Sequence, residues 1–267
     1  MNEYMPIPLQ DISYEDYIWK LLEKIHSRHI THKIIGMVLS ERTGIEYPIY
    51  RYNINEAVNH RICIISGVHG NEIAGPLSLL TLFAHPYFSE LPEEFQYVIY
   101  PLVNPTGFDL RQRYDSDYRD LNAVYKTTLE SKNYTENQDL IADVEQYLPF
   151  EAVITLHEDL DSEQFYMYGL GKHNVPLYHE LCQRAQIKCP LWSNADIYGC
   201  RSDDQGLILS TARDHGFECY FYAKGYTPIS CTLETPGKRD IDFRTQMMVD
   251  LALFFLKQLA QKTALIV

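Results

Sequence analysis

The chain contains no apolar run approaching the roughly 20 residues needed to cross a bilayer as a helix. Its short apolar run at residues 252–256 sits inside a helical pattern. The first ten residues, MNEYMPIPLQ, lack both a basic segment and an apolar segment, so they do not read as a secretion signal. Positive charge is scarce: 23 Lys and Arg stand against 36 Asp and Glu, a net charge of −13. That balance excludes the broad basic face a nucleic-acid partner needs. It also argues against docking on an anionic membrane surface, although a local basic pocket remains compatible with it. The six cysteines are scattered and include no C-x-x-C pair. Cys63 and Cys231 lie in apolar runs and read as buried thiols. With no export signal, the expectation is reduced cysteines in a cytoplasmic protein. No internal repeat, low-complexity tract or linker divides the chain, so residues 1–267 are expected to form a single domain.

What the sequence does have is alternation. Ser13, with Asp16 three residues on, opens a helix carrying Tyr17, Ile18, Leu21, Leu22 and Ile25 on one face. Strands are expected at residues 33–40 and 47–54 around a turn at Arg42-Thr43-Gly44, and again at 61–66, 96–103, 151–156, 164–170, 219–223 and 229–234. Helices are expected at 73–85, 136–148, 175–187 and 243–259. The stretch 108–122, with three Arg among four Asp, shows no period and reads as a long ordered loop, a kind of segment that tends to be functional. Residues 194–216 read as irregular. His26, His29 and His32 read as a polar helix end rather than a second metal site. Strands alternating with helices predict an α/β fold: one mixed, mostly parallel sheet flanked by helices.

The chemistry gathers around residues 61–75, RICIISGVHGNEIAG. A buried strand runs into a loop that carries His69 and Glu72 between Gly70 and Gly75. One ring nitrogen and one carboxylate oxygen at this spacing can both reach one metal ion. Catalytic zinc usually takes a third protein ligand and keeps an open position. Two later strands also end in polar residues, one at His157 and one at Glu234. In open α/β sheets ligands bind beyond the carboxyl ends of the strands, which is a physical reason for these ends to converge. His69, Glu72 and His157 then complete a set of two His and one carboxylate, for one zinc per chain. A zinc ion there lowers the pKa of a water and polarises a carbonyl. Glu234 is placed to act as general base and return the proton to a leaving amine. The Arg-rich loop can supply the cation that a developing oxyanion needs. Ser66 stands in S-G-V-H-G, not in the G-x-S-x-G elbow of a serine hydrolase.

This constellation resembles the zinc carboxypeptidases, the carboxypeptidase A-like metallopeptidases, together with their aspartoacylase and succinylglutamate desuccinylase relatives. The resemblance spans residues 61–237. It rests on four pieces in the family order: GVHGNE, NPTGFDLRQRYDSDYRDLN, ITLH and TLE. It implies that His69, Glu72 and His157 bind zinc and that Glu234 is the base. It further implies that Arg113 stabilises the oxyanion, that Asn122 helps hold a substrate carboxylate, and that Asp120 fixes the first zinc His. The family motif continues Asp-x-Asn-Arg, whereas this chain reads Asp120-Leu121-Asn122-Ala123. The carboxylate-pairing Arg is therefore missing, and a bidentate Arg contact is hard to replace with neutral groups. Arg111 and Arg119 are candidate substitutes from the same loop. Tyr198 and Tyr222 are candidates for the substrate-binding Tyr.

Glu158 and Asp159 read as charges flanking the site rather than ligands, and Asp203 and Asp204 as loop charges. Three functions are compatible with these residues. The first is a carboxypeptidase-like hydrolase of peptides or cell-wall peptide fragments, favoured by the long stretch at residues 194–226. The second is a deacylase of N-acyl amino acids. The third, a non-catalytic zinc-binding protein, is disfavoured by the intact base Glu234. Oligomeric state is not addressed by the sequence.

Overall fold

The computed structural model describes residues 11–26, 30–84, 86–124, 135–194, 196–211 and 216–264. The first ten residues, His29 and the side chain of His26 lie outside the described residues, as do the end of the expected 73–85 helix and parts of the 194–216 stretch. Helix α1 (Tyr14–His26) begins as its sequence requires: Ser13 Oγ accepts the Asp16 amide at 3.0 Å and donates to the Asp16 carboxylate at 2.7 Å. A hairpin follows, β1 (Ile30–Leu39) with β2 (Glu46–Ile54). His32 lies in β1 and stacks on Tyr52, so it belongs to a strand rather than to a helix end.

Next come β3 (Arg61–Ser66), α2 (Ala74–Leu82), β4 (Gln96–Tyr100), α3 (Pro105–Leu110), α4 (Thr135–Val144), β5 (Ala152–Asp159), β6 (Tyr166–Leu170) and α5 (Val175–Gln186). The short strands β7 (Asp196–Ile197), β8 (Cys200–Arg201) and β9 (Leu207–Leu209) precede α6 (Phe217–Ala223), β10 (Ser230–Pro236) and the long closing helix α7 (Ile241–Ala264).

The main sheet runs β1-β2-β4-β3-β5-β10-β6-β9. Its centre, β4-β3-β5-β10, is parallel, while β1, β2 and β6 join antiparallel and β9 pairs parallel to β6. The central strands are apolar on both faces because helices cover both faces. In β3, Ile62 and Ile64 enter the core beneath α2 and α7, while Cys63 and Ile65 enter a second core with α4 and α6. The architecture is the mixed, helix-flanked α/β sheet expected from the alternation.

Three expectations change. Residues 219–223 are not a strand but part of α6. The run FECYFYA turns Phe217, Tyr220 and Phe221 into one core, with the Phe217 and Phe221 centroids 5.9 Å apart, four residues along. The turn signal at Asn104-Pro105 starts α3: Asn104 caps it by accepting the Gly107 amide at 2.8 Å, and Pro105 takes the first turn. The stretch read as irregular contains the β7–β8 ribbon and supplies β9 to the sheet. Among the described residues, no helix is long and apolar enough to cross a membrane.

Candidate metal centre and active-site cleft

At the carboxyl end of β3, Gly67 adopts φ +61°, a left-handed turn that releases the chain from the sheet. The loop then lies against α3. A Cβ on Gly70 would sit 1.9 Å from the Gly107 carbonyl carbon, so only glycine fits there. Asn104 fastens the two segments by donating to the carbonyls of Val68 (3.2 Å) and Arg113 (3.3 Å). This contact presents His69 and Glu72 to the end of the sheet.

His157 comes from β5 and Glu234 from the neighbouring β10, where the two are paired residues in the parallel register. Paired residues share a face, so imidazole and carboxylate project together on the α6 side of the sheet. On the other flank Tyr166 of β6 is the antiparallel partner of Glu234.

His69, Glu72 and His157 are all buried, and their ligand atoms lie within 4.8 Å of one another. Glu72 Oε1 is 2.6 Å from His69 Nδ1, Glu72 Oε2 is 2.8 Å from His157 Nδ1, and the two Nδ1 atoms are 3.2 Å apart. Zinc–nitrogen bonds of about 2.0–2.1 Å in a tetrahedron separate ligand atoms by about 3.3 Å, close to this spacing. On the far side of the first ring, His69 Nε2 faces Asp120 Oδ1 at 3.3 Å. A carboxylate at that position holds the proton on Nε2 and leaves Nδ1 its lone pair for a metal. His157 Nε2 is buried with no protein partner, so the ring's polar contacts are made through Nδ1. The donor set and its spacing fit zinc.

The charges reinforce one another. Burial works against ionising Glu72, but His69 and His157 hold its carboxyl well below the ordinary range. Burial disfavours a charged His69, yet Glu72 and Asp120 raise its pKa above the usual value. For His157 burial wins, and its pKa falls. Asp120 is also opposed by burial, but its bond to His69, with Arg113 beyond, holds it down to about 2. Among the described residues Glu234 has no bonded cation to hold it down. Burial, then Glu72 and Asp159, push its pKa well above that of an ordinary carboxyl, with Arg113 opposing.

A cleft of about 630 Å³ opens over these groups. Arg113 lines it, 45% exposed at the side chain, with Nη1 3.3 Å from Glu72 Oε1 and Nη2 3.8 Å from Asp120 Oδ2. Asn122 lines it too; its backbone amide donates to Asp120 at 3.0 Å and its side-chain oxygen has no protein partner. Tyr198 stands over the cleft at the β7–β8 turn, 72% exposed, with φ +49° and its hydroxyl 3.1 Å from Asp159 Oδ2.

The other candidates are elsewhere. Arg119 is locked to the buried carboxylates of Asp115 and Glu136 and to Asp117, an arrangement that ties the loop to α4. Arg111, itself at φ +53°, donates to the Ile12 carbonyl and lies 4.5 Å over the Phe108 ring, so it staples the loop to the N-terminal segment. Neither lines the cleft. Tyr222 lies beside Gly171 at the far end of β6 and does not line it either. Sequence reasoning passed over Asn71, Tyr166, Tyr168 and Glu218, which do, together with Asp159. Tyr166 and Tyr168 were detectable in principle as alternate residues of one strand, but only the register with β10 puts them beside Glu234. Cys200 of β8 also reaches the cleft.

Residues 59–253 match the model of the succinylglutamate desuccinylase/aspartoacylase catalytic domain. The chain belongs to that family. Solved structures share the fold. Two are provisionally named metallopeptidases of Shewanella: that of S. baltica OS155 has TM-score 0.80 and 22% identity, covering 94% of this chain and 93% of that one. That of S. denitrificans OS217 has TM-score 0.80 and 23% identity, covering 97% and 95%. A metallo-carboxypeptidase from Burkholderia cenocepacia is similar at TM-score 0.68 and 14% identity, covering 92% of this chain and 70% of that one. No curated protein matches the chain. The family is thus that of the succinylglutamate desuccinylase/aspartoacylase catalytic domain, the fold is shared with a metallo-carboxypeptidase, and the His69-Glu72-His157 cluster fits zinc.

Proposed function

We propose that the protein is a zinc-dependent amide hydrolase of carboxypeptidase type, acting on peptides or cell-wall peptide fragments. The observation that carries this reading is the pairing of Glu234 with His157 across β5 and β10, which sets a carboxylate outside the ligand set beside the metal centre. Zinc, held by His69, Glu72 and His157, would supply Lewis-acid polarisation of the scissile carbonyl and a more acidic water. Glu234 takes the proton from the attacking water. It then passes that proton to the leaving nitrogen. Arg113, half-exposed on the cleft wall beside Glu72, meets the oxyanion as charge develops. Asn122 offers amide hydrogen bonds to the substrate's polar end. Tyr198 borders the cleft from above.

A second reading, deacylation of N-acyl amino acids, is favoured by the family match itself. The two readings separate on a panel of peptides and N-acyl amino acids incubated with the zinc-loaded protein. Peptide turnover that stops on chelation and returns with zinc is expected. Turnover confined to N-acyl amino acids selects the second reading, and turnover of neither class, with zinc bound, removes both.

The missing Arg makes a sharper prediction. Among the described residues Arg113 is the one guanidinium that lines the cleft, and it cannot both steady an oxyanion and grip a terminal carboxylate at full strength. Simple substrates with a free C-terminal carboxylate are therefore expected to be poor. Ala123 follows Asn122 at a half-buried position. Ala123→Arg is expected to raise kcat/KM for such substrates roughly tenfold or more, since a charge-assisted hydrogen bond contributes about 1.5–3 kcal/mol and about 1.4 kcal/mol is tenfold. Steady-state kinetics of parent and variant decide it; vigorous parent activity on these substrates, with no gain in the variant, contradicts it.

A further inference from the structure

Alternation along β5 places His157 on the cleft side of the sheet and Glu158 on the opposite side, under α2 and α7. Glu158 is nevertheless tied to the metal centre twice. Its backbone amide donates to Glu72 Oε2 at 3.1 Å. Its carboxylate Oε1 accepts the backbone amide of Ala74 at 2.7 Å, two residues beyond Glu72, at the start of α2. The other oxygen, Oε2, is held by Arg244 Nη1 at 2.5 Å, from the first part of α7. The Glu158 side chain is fully buried and that of Arg244 is 11% exposed. A buried charge pair of this kind holds its geometry firmly, because removing either partner strands the other in a medium that cannot solvate it.

Ile73, the residue at the cap of α2, makes no side-chain cap. The Glu158 carboxylate does that work from the neighbouring strand, satisfying an otherwise orphaned amide at the helix start. The chain from Glu72 to Ala74 is thus clamped at both ends by one residue: the Glu72 carboxylate by the Glu158 backbone, and the α2 start by the Glu158 side chain. Arg244 fixes that side chain. We infer that Arg244 and Glu158 are positioning residues for the metal ligand Glu72, so that the closing helix α7 sets the metal affinity of a centre on the other face of the sheet. The inference rests on His69, Glu72 and His157 being the zinc ligands.

The test measures zinc dissociation constants by chelator competition, with metal-free melting temperatures alongside, on the full-length chain. Arg244→Met keeps the length and apolar packing of the side chain and removes the charge; Glu158→Gln keeps the shape and can still accept the Ala74 amide. Both are expected to weaken zinc binding roughly ten- to hundred-fold, the range seen when groups that orient metal ligands are altered. Arg244→Lys, which restores the charge, is expected to recover most of that loss. A pair with only a structural role lowers the metal-free melting temperature and leaves the zinc constant unchanged; that result in folded Arg244→Met or in Glu158→Gln overturns the inference. If Arg244→Met does not fold, Glu158→Gln and Arg244→Lys carry the comparison. A parent chain that binds no zinc refutes the ligand assignment instead, so the two failures are distinguishable.

Discussion

Glu234→Gln is expected to fold, to bind zinc and to lose hydrolysis by roughly 10²- to 10⁴-fold, the usual contribution of a positioned general acid–base group. Gln matches Glu in shape and cannot accept a proton at neutral pH. Zinc binding is expected to survive because Glu234 is not among the ligating atoms; it sits on the next strand, paired with His157. Stability gives an independent check. In the metal-free protein, burial and the nearby Glu72 and Asp159 raise the Glu234 pKa well above its unfolded value. The folded state therefore binds that proton more tightly than the unfolded state does. The parent loses stability as pH rises from the ordinary carboxylate range through the folded pKa. Gln removes that loss, so the metal-free variant should melt at a temperature equal to or above the parent's at neutral pH. A variant with activity within a few-fold of the parent removes Glu234 from the mechanism. Function and stability pulling in opposite directions at one buried carboxylate is the trade expected of an active site.

His157→Ala is the second large effect. The substitution leaves His69 and Glu72, one ligand short of the usual catalytic complement. Zinc content after gel filtration should fall from one per chain to near zero, and hydrolysis should go with it. Zinc should raise the melting temperature of the parent, because a ligand that binds only the folded state stabilises it by mass action. It should leave that of His157→Ala unmoved. Full zinc occupancy in the variant shows that the ligand is another residue.

Much of the fold could be read from residue patterns because the central strands are buried on both faces. Ile62–Ile65 is apolar without interruption, Ala152–Leu156 is broken only by Thr155, and each run ends abruptly in polar residues. The polar ends then gave the metal cluster, since strand ends in a parallel sheet share one edge. What stayed hidden depends on register and on partners distant in the chain. Arg119 looks like any loop Arg until Glu136 of α4 is seen to meet it. Arg111 is drawn away by a carbonyl at Ile12, some hundred residues earlier. The α6 segment, with four aromatic residues of seven, has no period to separate strand from helix, and only packing of Phe217 and Phe221 against the second core decides. Tyr166 enters the cleft because β6 lies antiparallel beside β10, a pairing that no local signal announces.

The strand order also dictates when the metal can arrive. Strands β3, β5 and β10 are neighbours in space but follow one another only after long intervening segments; the two histidines alone are 88 residues apart. Until β3 and β5 pair, the chain offers the ion only His69 with Glu72, a weak bidentate site. Closing so long a loop is a late, entropically costly event in folding. The sheet must therefore be assembled by its apolar strands first, and the ion enters a finished nest instead of nucleating one. Interactions that form after the rate-limiting step leave the folding rate alone and slow the reverse reaction. For this chain, zinc should act as a lock on the folded molecule, lengthening its lifetime against unfolding while leaving the speed of its formation unchanged.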